Sequence, residues 1–157
     1  MRRLSHDLCP SLLENVGLGA ALRHLLENYR QFYHITDNLQ ELDEIEAVLP
    51  AAAKIHLYRI FQELFTNIDK HAQASAINVA VQRAKNTLTV TIADNGSGFA
   101  AEGNDPRRTS PGLGLPAVSE RILMLGGTLT INAQKQAGTK IQFSVPLHKK
   151  SLLKRKG

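Results

Sequence analysis

Arg59-Ile60-Phe61-Gln62-Glu63-Leu64-Phe65-Thr66-Asn67-Ile68-Asp69-Lys70-His71-Ala72, followed closely by Ile77-Asn78-Val79-Ala80-Val81, changes its hydrophobic period from 3.6 to 2. In the first part Ile60, Phe61, Leu64, Phe65 and Ile68, with Ile55 ahead of them, make the buried stripe of a helix predicted from Pro50 to about Ala72. In the second, Ile77, Val79 and Val81 alternate with polar or small residues. A turn falls near Lys85-Asn86, after which Leu88, Val90 and Ile92 alternate with threonines, the pattern of a β-hairpin.

Upstream, Leu12, Leu13, Val16, Leu18, Leu22, Leu25, Leu26 and Tyr29 recur at helical spacing, which predicts an amphipathic helix from Leu12 to about Tyr33. A strand is predicted from His34 to Leu42, overlapping an acidic connection from Glu41 to Glu46. Downstream, Gly96 to Pro111 is too polar and too broken by glycine and proline for an element, and reads as a long loop. A third helix is predicted from Pro116 to Leu125, stopped by Gly126-Gly127, and a last strand pair carries Leu129, Ile131, Ile141, Phe143 and Val145. Helices and strands in this order describe an α+β two-layer α/β sandwich, with three helices on one face of a mixed sheet.

The 157 residues suffice for one domain with its own core. Of 19 basic residues, Lys149, Lys150, Lys154, Arg155 and Lys156 crowd the last ten positions; the rest balance the 14 acidic ones. A neutral body with a basic tail gives no bulk electrostatic case for nucleic acid. Cys9 is the only cysteine, so a disulfide framework and a thiolate metal site are both excluded. With no long apolar run and no signal peptide after Met1-Arg2-Arg3, the chain is expected to be cytoplasmic, as the cytosolic part of a membrane-bound sensor or otherwise.

Three groups of residues carry chemistry. Arg59, Glu63, Asn67 and Lys70 form a polar stripe opposite the apolar one, with His71 beside Asn67; taken alone, a solvated helix face accounts for them. Asp94-Asn95-Gly96-Ser97-Gly98-Phe99 places an acid at a strand end before two glycines, which let backbone approach a ligand closely. An Asn-Gly hairpin turn is the competing account, weakened because no alternating strand follows. Gly112-Leu113-Gly114-Leu115 precedes Pro116 and so aims backbone N–H groups outward from a helix start. Gly112, Gly114 and Ala117 fit the G-x-G-x-x-A dinucleotide pattern, but no strand precedes them and no acid follows Glu120. A P-loop is absent as well.

Together these stretches resemble the ATP-binding domain of bacterial sensor histidine kinases in the GHKL superfamily. Phe61 to Ala72 is similar to its N box, Asp94 to Phe99 to its G1 box, Gly112 to Leu115 to its G2 box, and Gly138-Thr139 to its last glycine-threonine pair. Leu4-Ser5-His6-Asp7-Leu8-Cys9-Pro10, with Leu12-Leu13 and Val16-Gly17-Leu18, is similar to the end of the dimerisation region in the nitrate-sensor-like subfamily. The resemblance implies a Bergerat-type ATP-binding fold. It also implies three parts: residues 1–33 as the end of the dimerisation region and a linking helix, 34–147 as the catalytic domain, and 148–157 as a tail.

What the resemblance implies for the site is specific. Asn67 would give an oxygen to Mg²⁺, and Glu63 would polarise the attacking imidazole or a water. Lys70 and His71 would face the phosphates, and Asp94 would accept from the adenine amino group beside Thr139. Gly96 and Gly98 would let the base sit close, and Gly112, Leu113, Gly114 and Leu115 would flank the phosphates behind a lid from Gly103 to Pro111. Arg107 and Arg108 in that lid would either reach the γ-phosphate or form a solvated pair. The sequence departs from the family at Asp69, where an apolar or small residue is usual, and at Pro116, Val118 and Ser119, where relatives often carry Arg, Met and Arg.

The implied function is transfer of the γ-phosphoryl group of ATP to a histidine outside this chain. The implied partners are the histidine-bearing dimerisation domain of the same kinase and, indirectly, a response regulator, with a homodimer only in the full-length protein. His6 is not expected to be the acceptor, because Pro10 follows it too soon for a continuous helix. The alternatives are a nucleotide-binding regulatory pseudokinase module and an anti-sigma-type serine kinase.

Overall fold

The computed structural model describes residues 13, 15–96, 115–134 and 138–147. Its elements are α1 (Leu18–Arg30), β1 (His34–Asn38), α2 (Gln40–Glu44), a 3₁₀ turn (Glu46–Val48) and α3 (Ala51–Asn67). A π turn (Ile68–Ala72), β2 (Ala76–Ala84), β3 (Thr87–Asp94), α4 (Leu115–Met124), β4 (Thr128–Gln134) and β5 (Gly138–Pro146) follow. The sheet order is β1-β2-β3-β5-β4; β1 pairs with β2 in parallel and the other pairs are antiparallel. This is the mixed sheet that the sequence predicts, with helices on one side.

Period-2 alternation sends Ile77, Val79 and Val81 of β2 and Leu88, Val90 and Ile92 of β3 into the core, joined by Ile141, Phe143 and Val145 of β5. The helices seal this face. Phe61 of α3 meets Phe143 edge-on, with ring centroids 6.4 Å apart at 79°. Tyr29 of α1 lies 5.2 Å from Phe65 of α3, so α1 shares the one core cluster. The hairpin turns at Lys85, whose φ of 57° is left-handed.

Helix boundaries differ from the periodic pattern for local reasons. The helical pattern from Leu12 is broken at Gly17, whose φ of 89° no L side chain adopts readily. The acidic connection folds into α2 and the 3₁₀ turn, each too short for periodicity to register, and β1 ends at Asn38 rather than Leu42. The long second helix stays α-helical only to Asn67, then widens into the π turn and stops at Gln73, which is left-handed with φ 54°. Helix α4 ends in a Schellman motif: Gly127 N–H donates to Ile122 O and Gly126 N–H to Leu123 O, both at 2.9 Å.

Candidate functional site

Asp94 is the last residue of β3. Continuing the inward register of Leu88, Val90 and Ile92, its side chain lies on the helix-covered side of the sheet, at the C-terminal end of β3. Its cross-strand partners are Ile77 on β2 and Thr139 on β5; Thr139 is one of two buried polar residues among those described. Gly96 N–H donates to Asp94 Oδ1 at 2.8 Å, and the Thr139 backbone also hydrogen-bonds the carboxyl group. Burial pushes the Asp94 pKa up, and these two hydrogen bonds pull it back only in part. Among the described residues no cation pairs with it.

Glycine and asparagine build this corner. At Gly138, φ is 85°, and a Cβ there would run into the carbonyl oxygen of Asp94, so glycine is required for β5 to bring Thr139 alongside. Asn95 Oδ1 accepts from Ser75 N–H at 2.9 Å and Ala76 N–H at 3.0 Å, and its Nδ2 donates to Ser75 Oγ at 3.0 Å. The sequence placed Asn95 in the motif without this role. Its amide ties the end of β3 to the start of β2, and hence to the chain leaving α3.

That chain brings the polar stripe to the same end of the sandwich. Only the π turn and three residues separate Asn67 from β2. Glu63 and Asn67 are half-buried on α3, whereas Lys70, carried past them by the widened turn, is exposed. His71 belongs to the same turn. Arg59 donates through Nη1 to Gln62 Oε1 at 2.7 Å, which satisfies a buried amide. Leu115 opens α4 fully buried in the core. Gly98, Gly112, Leu113 and Gly114, with the predicted lid, lie outside the described residues.

Two features escaped sequence reading. Tyr33, read only as the approximate end of the first helix, donates through its hydroxyl to Asp69 Oδ1 at 2.6 Å. Arg121 on α4 approaches His56 Nδ1 of α3 at 3.2 Å through Nη1, while its Nε is buried with no hydrogen-bond partner among the described residues. Burial, and secondarily the Arg121 charge, hold the His56 pKa below its ordinary value. Among the described residues no group of three or more His, Cys, Asp or Glu is arranged to hold a metal, and no helix is long and apolar enough to cross a membrane.

The chain is 36% identical over 151 residues to the sensor histidine kinase MctS of Rhizobium johnstonii, covering 93% of this chain and 31% of that protein. It is 34% identical over 154 residues to the oxygen sensor histidine kinase NreB of Staphylococcus carnosus, covering 94% and 41%. It thus spans about a third to two fifths of these relatives. Among solved structures, the histidine kinase domain of the Erythrobacter litoralis EL346 blue-light activated histidine kinase superposes with a TM-score of 0.67 at 18% identity, covering 87% of this chain and 64% of that one, a likeness of fold. Residues 52–149 match the family described as histidine kinase-, DNA gyrase B-, and HSP90-like ATPase. They take in α3, all of β2 to β5 and both ends of the Asp94 corner, and the chain belongs to that family.

Proposed function

We propose that this chain binds Mg·ATP at the Asp94 end of the helix–sheet layer and donates the γ-phosphoryl group to a histidine outside the chain, as the catalytic part of a two-component sensor histidine kinase. The observation that carries the reading is Asp94: a half-buried carboxylate at a strand end that no cation pairs with among the described residues, beside a buried threonine. Such a group costs the ligand-free fold stability, a cost that a ligand-binding role accounts for, and an acceptor beside a hydroxyl suits the amino edge of adenine.

The donor set fits the substrate. Asn67 contributes a neutral oxygen of the kind Mg²⁺ accepts alongside phosphates and water, and an ion held there would neutralise phosphate charge. Lys70 and His71 supply positive or donor groups where the phosphates would lie. In the transfer, the bond from the γ-phosphorus to its bridging oxygen breaks, a phosphorus–nitrogen bond forms to the acceptor imidazole, and ADP leaves. Glu63, one turn before Asn67, accepts the proton that the imidazole nitrogen gives up. The rest of the catalysis is positioning. The relatives named above are sensor histidine kinases, which supports a dimerisation domain of the same kinase as acceptor and a response regulator beyond it.

Calorimetric titration with ATP, with and without Mg²⁺, tests the reading. Saturable binding that tightens with Mg²⁺ is expected; Asn67→Ala should lose the Mg²⁺ increment. Glu63→Gln should bind normally and slow transfer to a supplied dimerisation domain. The absence of binding by any adenine nucleotide would sink the proposal, and binding without transfer would leave a regulatory pseudokinase.

A further inference from the structure

Asn67 lies where α3 stops being α-helical. The N–H of Ile68 is shared between Leu64 O and Phe65 O, and the next five residues form a π turn. A widened turn has poorer internal hydrogen bonding than an α-helix and needs outside support to hold one geometry. That support comes from the N-terminal helix. Tyr29 of α1 shares a hydrogen bond with the Thr66 side chain, and Tyr33, just past the end of α1, donates to Asp69 Oδ1 at 2.6 Å. The two contacts bracket Asn67, one residue before it and two after.

The bracket is rigid. Both tyrosines are buried, at 1% and 7% exposure; their rings pack on each other at 6.3 Å, and Tyr29 also packs on Phe65. A buried phenol delivers its hydroxyl with little rotamer freedom to lose, and one bonded to a carboxylate makes the stronger, charge-assisted kind of hydrogen bond. The same contact accounts for Asp69, the residue out of keeping with the resembled motif: an apolar side chain there would leave the Tyr33 hydroxyl without this acceptor.

We propose that Tyr33 and Asp69, with Tyr29 and Thr66, are positioning residues that fix the π turn so that Asn67 presents its oxygen to a nucleotide-bound Mg²⁺, making occupancy of the ion dependent on the seating of α1. The inference rests on the nucleotide-binding reading. It assigns Tyr33 and Asp69 no contact with the nucleotide.

The test uses the full chain as Tyr33→Phe, Asp69→Ala and Asp69→Asn, the last keeping an acceptor oxygen. ATP affinity is measured by calorimetry in Mg²⁺ and in EDTA, and amide hydrogen exchange is followed over residues 64–73 of the nucleotide-free protein. Tyr33→Phe keeps ring and charge, so its EDTA affinity should equal the parent's. Its Mg²⁺ increment should fall roughly five- to tenfold, the net scale of one ordinary hydrogen bond, and exchange at 67–73 should quicken. Asp69→Ala should do the same and Asp69→Asn should restore most of both. Should Asp69→Ala fail to fold, Tyr33→Phe decides. A Tyr33→Phe protein with the parent's Mg²⁺ increment and exchange overturns the positioning role while leaving nucleotide binding in place. A parent protein that binds no nucleotide overturns both.

Discussion

Two aspartates meet opposite treatment in this molecule. Asp43, on α2, takes a bidentate pair of hydrogen bonds from Arg23 of α1, at 3.1 and 2.7 Å, with both side chains about half exposed. The Arg23 hydrogen bond holds its carboxyl below the ordinary range, burial opposing weakly. Asp94 is deeper and, among the described residues, has backbone N–H groups in place of a cation, and its carboxyl is pushed up. The neighbourhoods differ in the same way. Around Asp43, Glu46 Oε1 accepts from Leu18 N–H at 2.8 Å, capping an α1 whose own N-cap is Gly17, and its Oε2 pairs with Lys54 Nζ at 2.5 Å. At that corner each carboxylate is spent on holding α1 to the domain. At the Asp94 corner the carboxylate is maintained against its own solvation, the condition that marks groups kept for a ligand.

The sharpest way to break the contrast is Asp94→Asn. Nucleotide affinity should drop ten- to a hundredfold, about 1.5–3 kcal/mol for a lost charge-assisted hydrogen bond. Stability should move the other way. With its folded-state pKa above the unfolded value, Asp94 stabilises most below its ordinary 3.8 and loses that contribution as pH rises through the folded value. At neutral pH the nucleotide-free Asn variant should therefore melt at or above the parent temperature. Parent-like affinity would remove Asp94 from the site; a lower melting temperature would mean its carboxylate is structural, like Asp43.

Glu46→Ala should do the reverse. Without its carboxylate the first turn of α1 loses its cap and Lys54 its partner, a destabilisation of about 1–2 kcal/mol by chemical denaturation. Affinity for ATP in EDTA should not change. A parallel loss of EDTA affinity would show that the two corners are not separable.

How far the sequence reveals these corners follows from the range of each interaction. Periodicity in 60–68 and 77–92 reports burial on one face, a local property, so α3, the hairpin and the α+β layering were legible. Asp94 was legible too, because a strand end followed by Gly96 and a downstream Gly138-Thr139 leave marks in the chain itself. The Glu46 cap and the Tyr33–Asp69 bond join residues 28 and 36 apart, and neither partner's type announces the other. The π turn depends on such contacts, so its five residues read as a plain continuation of the α-helix. Arg121, read as an ordinary residue of the third helix, has a buried Nε only because α4 packs against α3.

The smallest expected effect completes the comparison through its sign. Arg23→Ala removes a surface pair, which is worth about 0.2–1 kcal/mol and weakens with salt. The pH dependence is more telling than the size. With a folded-state pKa below its unfolded value, Asp43 stabilises above its ordinary 3.8 and loses that contribution as pH falls through the lowered folded value. The difference in stability between parent and Arg23→Ala should thus be present at pH 7 and vanish on acidification. The difference between parent and Asp94→Asn, with a raised pKa, should shrink from the parent's disadvantage over the same descent. Denaturation curves at a series of pH values from 7 to about 3 would place the two differences side by side. If they change in the same direction, backbone hydrogen bonds at the strand end outweigh burial, and Asp94 is held as Asp43 is held, by the fold for the fold.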